Sequence, residues 1–166
     1  MDTLTLDFET FYDPAGKYSL SSGSMTATEY IRDSRFQALC CGFKLNDEPT
    51  TMAWGEDIGK AFRFYGTNVR AIAHNAQFDG FIAAEHFGWH PTEWCDTVGL
   101  ARAQLRIKSY SLGRVGESLG LGDKIDGLSV SKGKRLEQLQ DYEKRILEQY
   151  CARHVDLCYN IYSKLI

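Results

Sequence analysis

Residues 69–79, with the sequence VRAIAHNAQFD, join a buried strand to the start of a helix through a short polar turn. The run VRAIAH is largely apolar, as in strands that are covered on both faces. Asn75 begins the turn, and Asp79 falls in the first turn of the helix that follows. A strand that leads directly into a helix is typical of an α/β domain.

Three other segments predict further strands of the same sheet. Residues 3–9, TLTLDFE, alternate in polarity and end in acidic side chains, which indicates a strand. Residues 36–45, FQALCCGFKL, form a continuous apolar run that predicts a buried strand. Residues 50–54 follow the turn signal at residues 46–49 and predict the returning strand of a hairpin.

Helical patterns account for much of the remaining chain. From Arg135 to the end the pattern is helical, with a break expected near residues 149–150. The other predicted helical segments are a single turn near residues 28–33, helices over 56–65 and 78–87, and glycine-interrupted helices within 97–120.

Length and composition predict one soluble domain that spans residues 1–166. The 166 residues match the usual size of about 100–200 residues for a domain. No apolar run approaches the roughly 20 residues that a membrane span needs, and the N-terminus does not resemble a signal peptide. The five cysteines contain no CxxC pair, which favours reduced thiols. We therefore expect a cytoplasmic protein, in a bacterium or a phage-infected host cell, without a membrane partner.

The charge balance limits how the chain could bind nucleic acid. There are 19 basic and 22 acidic residues, for a net charge of −3. This balance argues against a surface that is basic throughout, but it allows a local basic groove or an acidic centre that binds cations. The basic residues best placed for phosphate contacts are Arg102, Arg106, Lys108, Arg114, Lys124, Lys132, Lys134 and Arg135.

Acidic side chains at predicted strand ends are the most informative chemical feature. Asp7 and Glu9 are two residues apart on a strand, so both point to the same face and repel each other unless a cation is present. A solvated polar face would explain this pair equally well, and the helix dipole alone would explain Asp79. If the three meet at one edge of the sheet, they would form a site for hard divalent cations.

Three segments of the chain are informative together: LDFET (6–10), AHNAQFD (73–79) and YCARHVDLCY (150–159). They resemble the motifs of DEDD-type 3′–5′ exonucleases, in the tyrosine variant found in the proofreading domain of family A DNA polymerases. Segments 29–47, 96–104 and 110–122 resemble phage-encoded members specifically. The resemblance covers nearly the whole chain in the family's order. It implies a ribonuclease-H-like α/β fold, with a mixed five-stranded sheet flanked by helices.

The same resemblance implies roles for particular residues. Asp7, Glu9 and Asp79 would ligate two divalent cations, Mg²⁺ or Mn²⁺, which together activate water and stabilise the leaving 3′-oxygen. Tyr150 would orient the attacking water, although a tyrosine on an amphipathic helix is also an ordinary core residue. The residues implied in binding the terminal nucleotide are Thr10, Phe11, Asn75 and Phe78, the last of which could equally be core.

The chain departs from the tyrosine-type pattern at position 154, where His replaces the fourth acidic ligand. At 100° per residue, Tyr150 and His154 lie about 40° apart on a helix, whereas Asp156 lies about 120° from Tyr150 on the polar side. His154 therefore takes the fourth ligand position. A neutral imidazole suits Mn²⁺, Zn²⁺ or Co²⁺ better than Mg²⁺. The replacement is either a natural or engineered weakening of the fourth ligand, or a functional histidine that acts as a metal ligand or as a base.

The leading hypothesis is a 3′–5′ exonuclease that acts on the 3′ end of single-stranded or frayed DNA and releases nucleoside monophosphates in proofreading. One alternative is a catalytically weakened domain that binds a DNA end, which His154 would favour. A second alternative is a related exonuclease that acts on RNA. Whether the chain is part of a longer polymerase is left open, and a polymerase domain or replication proteins are the expected protein partners in that case.

Overall fold

A computed structural model of the chain describes residues 1–21, 23, 25–122 and 127–166. One mixed five-stranded sheet has the strand order β3-β2-β1-β4-β5. The central strand, β1, is antiparallel to β2 and parallel to β4, while β3 and β5 form the edges. The strands are β1 (Asp2–Thr10), β2 (Ala38–Leu45), β3 (Thr51–Trp54), β4 (Val69–Ala73) and β5 (Glu93–Asp96).

Helices cover the sheet, and the longest of them, α6, packs along β1 and β2. Phe8 points to the other face, where its ring centroid lies 6.0 Å from that of Phe62 and 5.8 Å from that of Phe87. Since side chains alternate along a strand, Asp7 and Glu9 share the α6 face. The helices are α1 (Ala27–Arg32), α2 (Asp57–Tyr65), α3 (Ala76–Phe87), α4 (Thr97–Gln104), α5 (Leu112–Ser118) and α6 (Asp141–Leu165).

The predicted α/β fold with a mixed five-stranded sheet is confirmed. The fifth strand, β5, was not identified from its own residues, because it is only four residues long and half-buried along its length. None of the helices that the structure describes has the length and apolar character needed to cross a bilayer. Lys124, one of the basic residues considered for phosphate contacts, lies outside the described residues.

The helix break expected near residues 149–150 is wrong. Helix α6 runs without interruption from Asp141 to Leu165, because an unbroken row of buried side chains passes through Leu147, Cys151 and Cys158. The segment before it is not α-helical as expected from Arg135. It forms a short 3₁₀ turn at Leu136–Gln138 and then an extended N-cap at Gln140.

Candidate active site

The end of β1 carries two acids and meets a third from α3. Strand β4 pairs with β1 only as far as Thr5, opposite Ile72, and the chain then turns away into α3. The backbone N–H of Phe8 therefore lacks a strand partner on that side and donates to Asp79 Oδ1 at 3.2 Å. Since Phe8 lies between Asp7 and Glu9, this hydrogen bond brings all three carboxylates to the same part of the sheet.

All three carboxyl groups are held in an environment that disfavours their charge. Burial raises the pKa of Asp7 to about 6. Burial also raises the pKa of Glu9 and of Asp79 well above their usual values, and the negative charge of Asp7 adds to both shifts. Glu9 is 6% exposed and Asp79 is 3% exposed. Within the described ranges, no lysine or arginine forms an ion pair with any of the three.

Helix α6 supplies the other side of the site. His154 Nδ1 lies 3.8 Å from Asp7 Oδ2. Cys151 Sγ lies 3.4 Å from the backbone oxygen of Asp7 and 3.8 Å from its Oδ2. The ring of Tyr150 is buried, with its centroid 4.1 Å from that of His154. The site therefore contains a thiol and an imidazole beside the carboxylates.

Asp156 lies away from this site. Its Oδ1 accepts a hydrogen bond from Thr50 Oγ1 at 2.7 Å and forms an ion pair with Lys44 Nζ at 3.2 Å. Its side chain is 49% exposed. The helix register thus places His154 against Asp7 and turns Asp156 toward β2 and the hairpin.

A pocket with a cavity volume of about 230 Å³ opens beside Glu9. Thr10, one of the residues considered for nucleotide binding, lines it, and Thr10 Oγ1 lies 2.7 Å from Tyr30 Oη. Phe11 points elsewhere. It is buried against Tyr18, and the guanidinium of Arg135 lies 4.7 Å from its ring centroid. The structure gives Phe11 a packing contact, and its contact with a nucleotide stays a prediction.

Asn75 and Phe78 line a second pocket, between α1 and α3. Asn75 is exposed, and its backbone lies in the left-handed region with φ of 73°, which turns the chain from β4 into α3. Phe78 is half-buried, with its ring centroid 6.2 Å from that of Tyr30. The structure therefore separates the residues considered for nucleotide binding into two neighbouring pockets and a core position.

Two residues that lie at or beside the site were not singled out from the sequence. Asp96 Oδ1 accepts from the N–H groups of Asn75 at 2.9 Å, Ala76 at 3.3 Å and Val98 at 3.1 Å, so it fixes the starts of both α3 and α4. Cys151, which the sequence predicts only as one of five reduced thiols, lies against Asp7. The signal that could have revealed it is its spacing of three residues from His154, which places both on one helical face.

The donor set suits a divalent cation. Three carboxylates offer the oxygen ligands that Mg²⁺ and Mn²⁺ prefer, in a place where like charges otherwise repel. One ligand atom each from Asp7, Glu9 and Cys151 lies within 4.8 Å of the others. The residues present therefore fit a metal centre, with Asp7 at its middle.

No protein-family model matches the sequence, and no curated protein matches it either. Solved structures do match. The family B DNA polymerase of the archaeon Pyrobaculum calidifontis is 15% identical, with a TM-score of 0.69 over 99% of this chain. RNase D of Escherichia coli, described as an exoribonuclease involved in structured RNA processing, is 18% identical, with a TM-score of 0.61 over 98%. NrnC of Brucella melitensis is 14% identical, with a TM-score of 0.65 over 98%, and has also been solved with bound Mg²⁺.

At sequence identities this low, the structural matches establish a shared fold and nothing more. The chain spans 24% of the polymerase, 38% of RNase D and 71% of NrnC. None of these three is described as a family A polymerase, so the closer resemblance to phage family A enzymes stays an expectation.

Proposed function

We propose that the chain is a metal-dependent 3′–5′ exonuclease that hydrolyses the terminal phosphodiester of a DNA strand. The observation that carries the proposal is the convergence of Asp7, Glu9 and Asp79 beside His154 and Tyr150. This group of side chains lies on a fold shared with a DNA polymerase and an exoribonuclease. Buried like charges without a lysine or arginine partner among the described residues are costly, so their presence together favours a cation-dependent function.

In this function, Asp7, Glu9 and Asp79 would hold two divalent cations, Mg²⁺ or Mn²⁺. Bound there, the cations would lower the pKa of an attacking water and stabilise the charge on the leaving 3′-oxygen. Tyr150 would orient the attacking water through its hydroxyl group. Asp79 also accepts the hydrogen bond from Phe8, which holds its carboxylate against β1.

The pocket beside Glu9 would receive the terminal nucleoside. Its lining is largely apolar and includes Leu20, Leu128 and the aromatic ring of Tyr12, which suits contact with a base and a sugar. Thr10 and Tyr30 add hydroxyl groups within the same pocket. Asn75 and Phe78, in the neighbouring pocket, would contact the strand further from the scissile bond.

Two alternatives rest on specific observations. His154 replaces a carboxylate in the fourth position, which favours a domain that binds a DNA end and cleaves it weakly or not at all. The structural likeness to RNase D favours an RNA substrate instead. The preference for DNA rests on the resemblance of the three motifs to polymerase proofreading domains.

One cleavage assay separates these functions. The protein is incubated with 5′-labelled single-stranded DNA or RNA of the same sequence, in Mg²⁺, Mn²⁺ or a chelator. An exonuclease gives a ladder that shortens from the 3′ end and releases nucleoside monophosphates, only with a metal. DNA binding without shortening in either ion would support the end-binding function, and shortening of RNA alone would support the second alternative.

Asp79→Asn provides the matched control variant for this assay. The amide oxygen of asparagine can still accept the hydrogen bond from Phe8, so the fold should be retained while a charged ligand is removed. We expect cleavage to fall by at least a hundredfold, about 2.7 kcal/mol in the barrier. Unchanged cleavage in this variant would place the active site elsewhere.

A further inference from the structure

The proposed hydrolysis leaves the thiol of Cys151 without a role. This cysteine is fully buried on α6, and its Sγ faces the end of β1 that carries Asp7 and Glu9. A buried thiol beside two carboxylates is unusual, because the group is a weak hydrogen-bond donor and a strong ligand for soft metals.

The thiol of Cys151 and the imidazole of His154, the two softer donors of the site, approach the same atom, Asp7 Oδ2. Cys151 Sγ and His154 Nδ1 each lie 3.8 Å from this same oxygen atom. In a tetrahedral zinc site, bond lengths of about 2.0–2.3 Å separate neighbouring ligand atoms by roughly 3.3–3.5 Å. Shifts of a few tenths of an ångström would therefore bring the sulfur, and separately the nitrogen, to ligand spacing from this oxygen.

The positions on the helix support the same arrangement. Cys151 and His154 are three residues apart on α6, so both project from one face onto β1. Glu9 adds a second carboxylate, whose oxygen lies within 4.8 Å of both Cys151 Sγ and an oxygen of Asp7. The sulfur and the two oxygens therefore form one compact group, and His154, beside Asp7, offers a nitrogen as the fourth ligand of a tetrahedral site.

We propose that Asp7, Glu9, Cys151 and His154 form a binding site for a thiophilic divalent cation, of which Zn²⁺ is the natural example. When the ion binds, a sulfur–metal bond forms and the thiol proton of Cys151 leaves to solvent. The inference rests on the metal-binding part of the proposed function and extends it to a different class of cation.

The proposed zinc site has a consequence for cleavage. It shares Asp7 and Glu9 with the site that would hold Mg²⁺ or Mn²⁺, so the two kinds of ion compete. Four protein ligands complete the tetrahedron and leave no open position for a water, which is the arrangement of a structural zinc site. Zn²⁺ at micromolar concentration should therefore inhibit cleavage that Mg²⁺ or Mn²⁺ supports.

Titration of the purified chain with Co²⁺ tests the site without relying on cleavage. Thiolate ligation to Co²⁺ gives an intense near-ultraviolet charge-transfer band, which Zn²⁺ should abolish by displacement. Cys151→Ser should lose this band and bind Zn²⁺ at least tenfold more weakly in calorimetry. Cys158→Ser, a buried thiol on the same helix, and Cys95→Ser, a half-buried thiol on β5, should both keep the band.

Each outcome distinguishes this inference from the proposed function. Cleavage in Mn²⁺ without a thiolate band in Co²⁺ overturns the inference and leaves the exonuclease intact. A band that depends on Cys151 without any cleavage supports the inference and overturns the exonuclease. If Cys151→Ser fails to fold, X-ray absorption of the wild-type zinc form decides, since a sulfur at about 2.3 Å is required.

Discussion

At Asp7, a single carboxylate faces both the thiol and the imidazole that α6 brings to the candidate site. Its Oδ2 faces Cys151 and His154, and its charge raises the pKa of Glu9 and of Asp79. Burial disfavours the charge of Asp7, and that charge in turn disfavours ionisation of Glu9 and Asp79, so the residue adds little to stability by itself. The position of Asp7 suits a metal ligand, because a bound cation attracts the negative charges that otherwise repel one another.

His154→Asp tests the fourth ligand position at the residue level. Restoring a carboxylate should raise cleavage in Mg²⁺ at least tenfold, about 1.4 kcal/mol in the barrier, because Mg²⁺ prefers oxygen ligands. The measurement is the initial rate of 3′ shortening with saturating DNA. Asp156→Asn is the control and should change the rate little, since Asp156 pairs with Lys44 and Thr50 instead. Loss of cleavage in Asp156→Asn, with no change in His154→Asp, would contradict this assignment.

The raised pKa values predict how stability depends on pH when the metal is removed by a chelator. A carboxyl group whose pKa is higher in the folded state stabilises the fold below its unfolded pKa of about 4, and this stability is lost as pH rises through the folded value. For Asp7, the folded value is about 6. The free energy of unfolding should therefore fall between pH 4 and pH 7, by an amount on the order of 3 kcal/mol for this group.

Glu9→Gln should flatten that profile. The substitution removes a buried carboxyl group whose pKa is raised by burial and by the negative charge of Asp7, and it keeps a side chain of similar size. The variant should therefore be more stable than wild type at pH 7 and similar near pH 4. Urea unfolding of both proteins across this pH range, in chelator, makes the comparison. A variant that is less stable than wild type at pH 7 would mean that Glu9 forms a favourable contact in the metal-free fold.

At the level of elements, the distance between α6 and the sheet depends on one glycine. Gly42 on β2 is paired with Asp7 on β1. A Cβ at Gly42 would lie 2.8 Å from Val155 Cγ2 and 3.3 Å from Cys151 Sγ. Any larger side chain there would push α6 away from the strand, and with it the groups that face Asp7.

Gly42→Ala should therefore destabilise the chain by about 1–3 kcal/mol through overpacking and should also lower cleavage. The branched side chain of Val155 has little rotamer freedom on a helix, so the helix itself must shift. Gly99→Ala on α4 is the matched control. Its nearest neighbour would be Asp96 Cβ at 4.0 Å, so it should gain up to about 1 kcal/mol of helix propensity. Thermal unfolding and cleavage rates of both variants check the prediction, and equal effects would contradict it.

The elements also show what the sequence could and could not predict. The four strands predicted from their own residues were identified to within about two residues, because apolar runs, alternating polarity and turn signals reflect burial and pairing within the sheet. Strand β5 was not identified, because it becomes a strand through its pairing with β4 and not through a pattern in its own four residues. The continuity of α6 was missed because burial along Leu147, Cys151 and Cys158 depends on the whole length of the sheet beneath it.

For the whole molecule, the site depends on contacts between segments that are far apart in the chain. Asp79 meets β1 because β4 stops pairing with β1 beyond Thr5, a change of direction that no local pattern specifies. The grouping of the acids could be expected only because parallel strands end at the same edge. The contact of Cys151 with Asp7 spans 144 residues and needed the packing of α6 to become visible.

Metal binding should stabilise the whole fold, because an ion that binds only the folded chain shifts the unfolding equilibrium by mass action. At a concentration one hundred times its dissociation constant, an ion contributes about 2.7 kcal/mol. For a chain of this size, that corresponds to a rise in Tm of roughly 5–10 °C. We expect such a rise in millimolar Mn²⁺ and a smaller one in Mg²⁺, since His154 replaces an oxygen ligand. Differential scanning calorimetry in each ion and in chelator gives the measurement.

Asp7→Asn is the decisive control for this whole-molecule effect. Asparagine retains the size of Asp7 but removes the negative charge at the middle of the proposed metal centre. The rise in Tm should therefore largely disappear. An equal rise in wild type and variant would mean that the ions bind elsewhere on the acidic chain. No rise in either ion would mean that the carboxylates meet without forming a metal site. In that case their mutual repulsion would be a cost that the fold carries without a cation to offset it.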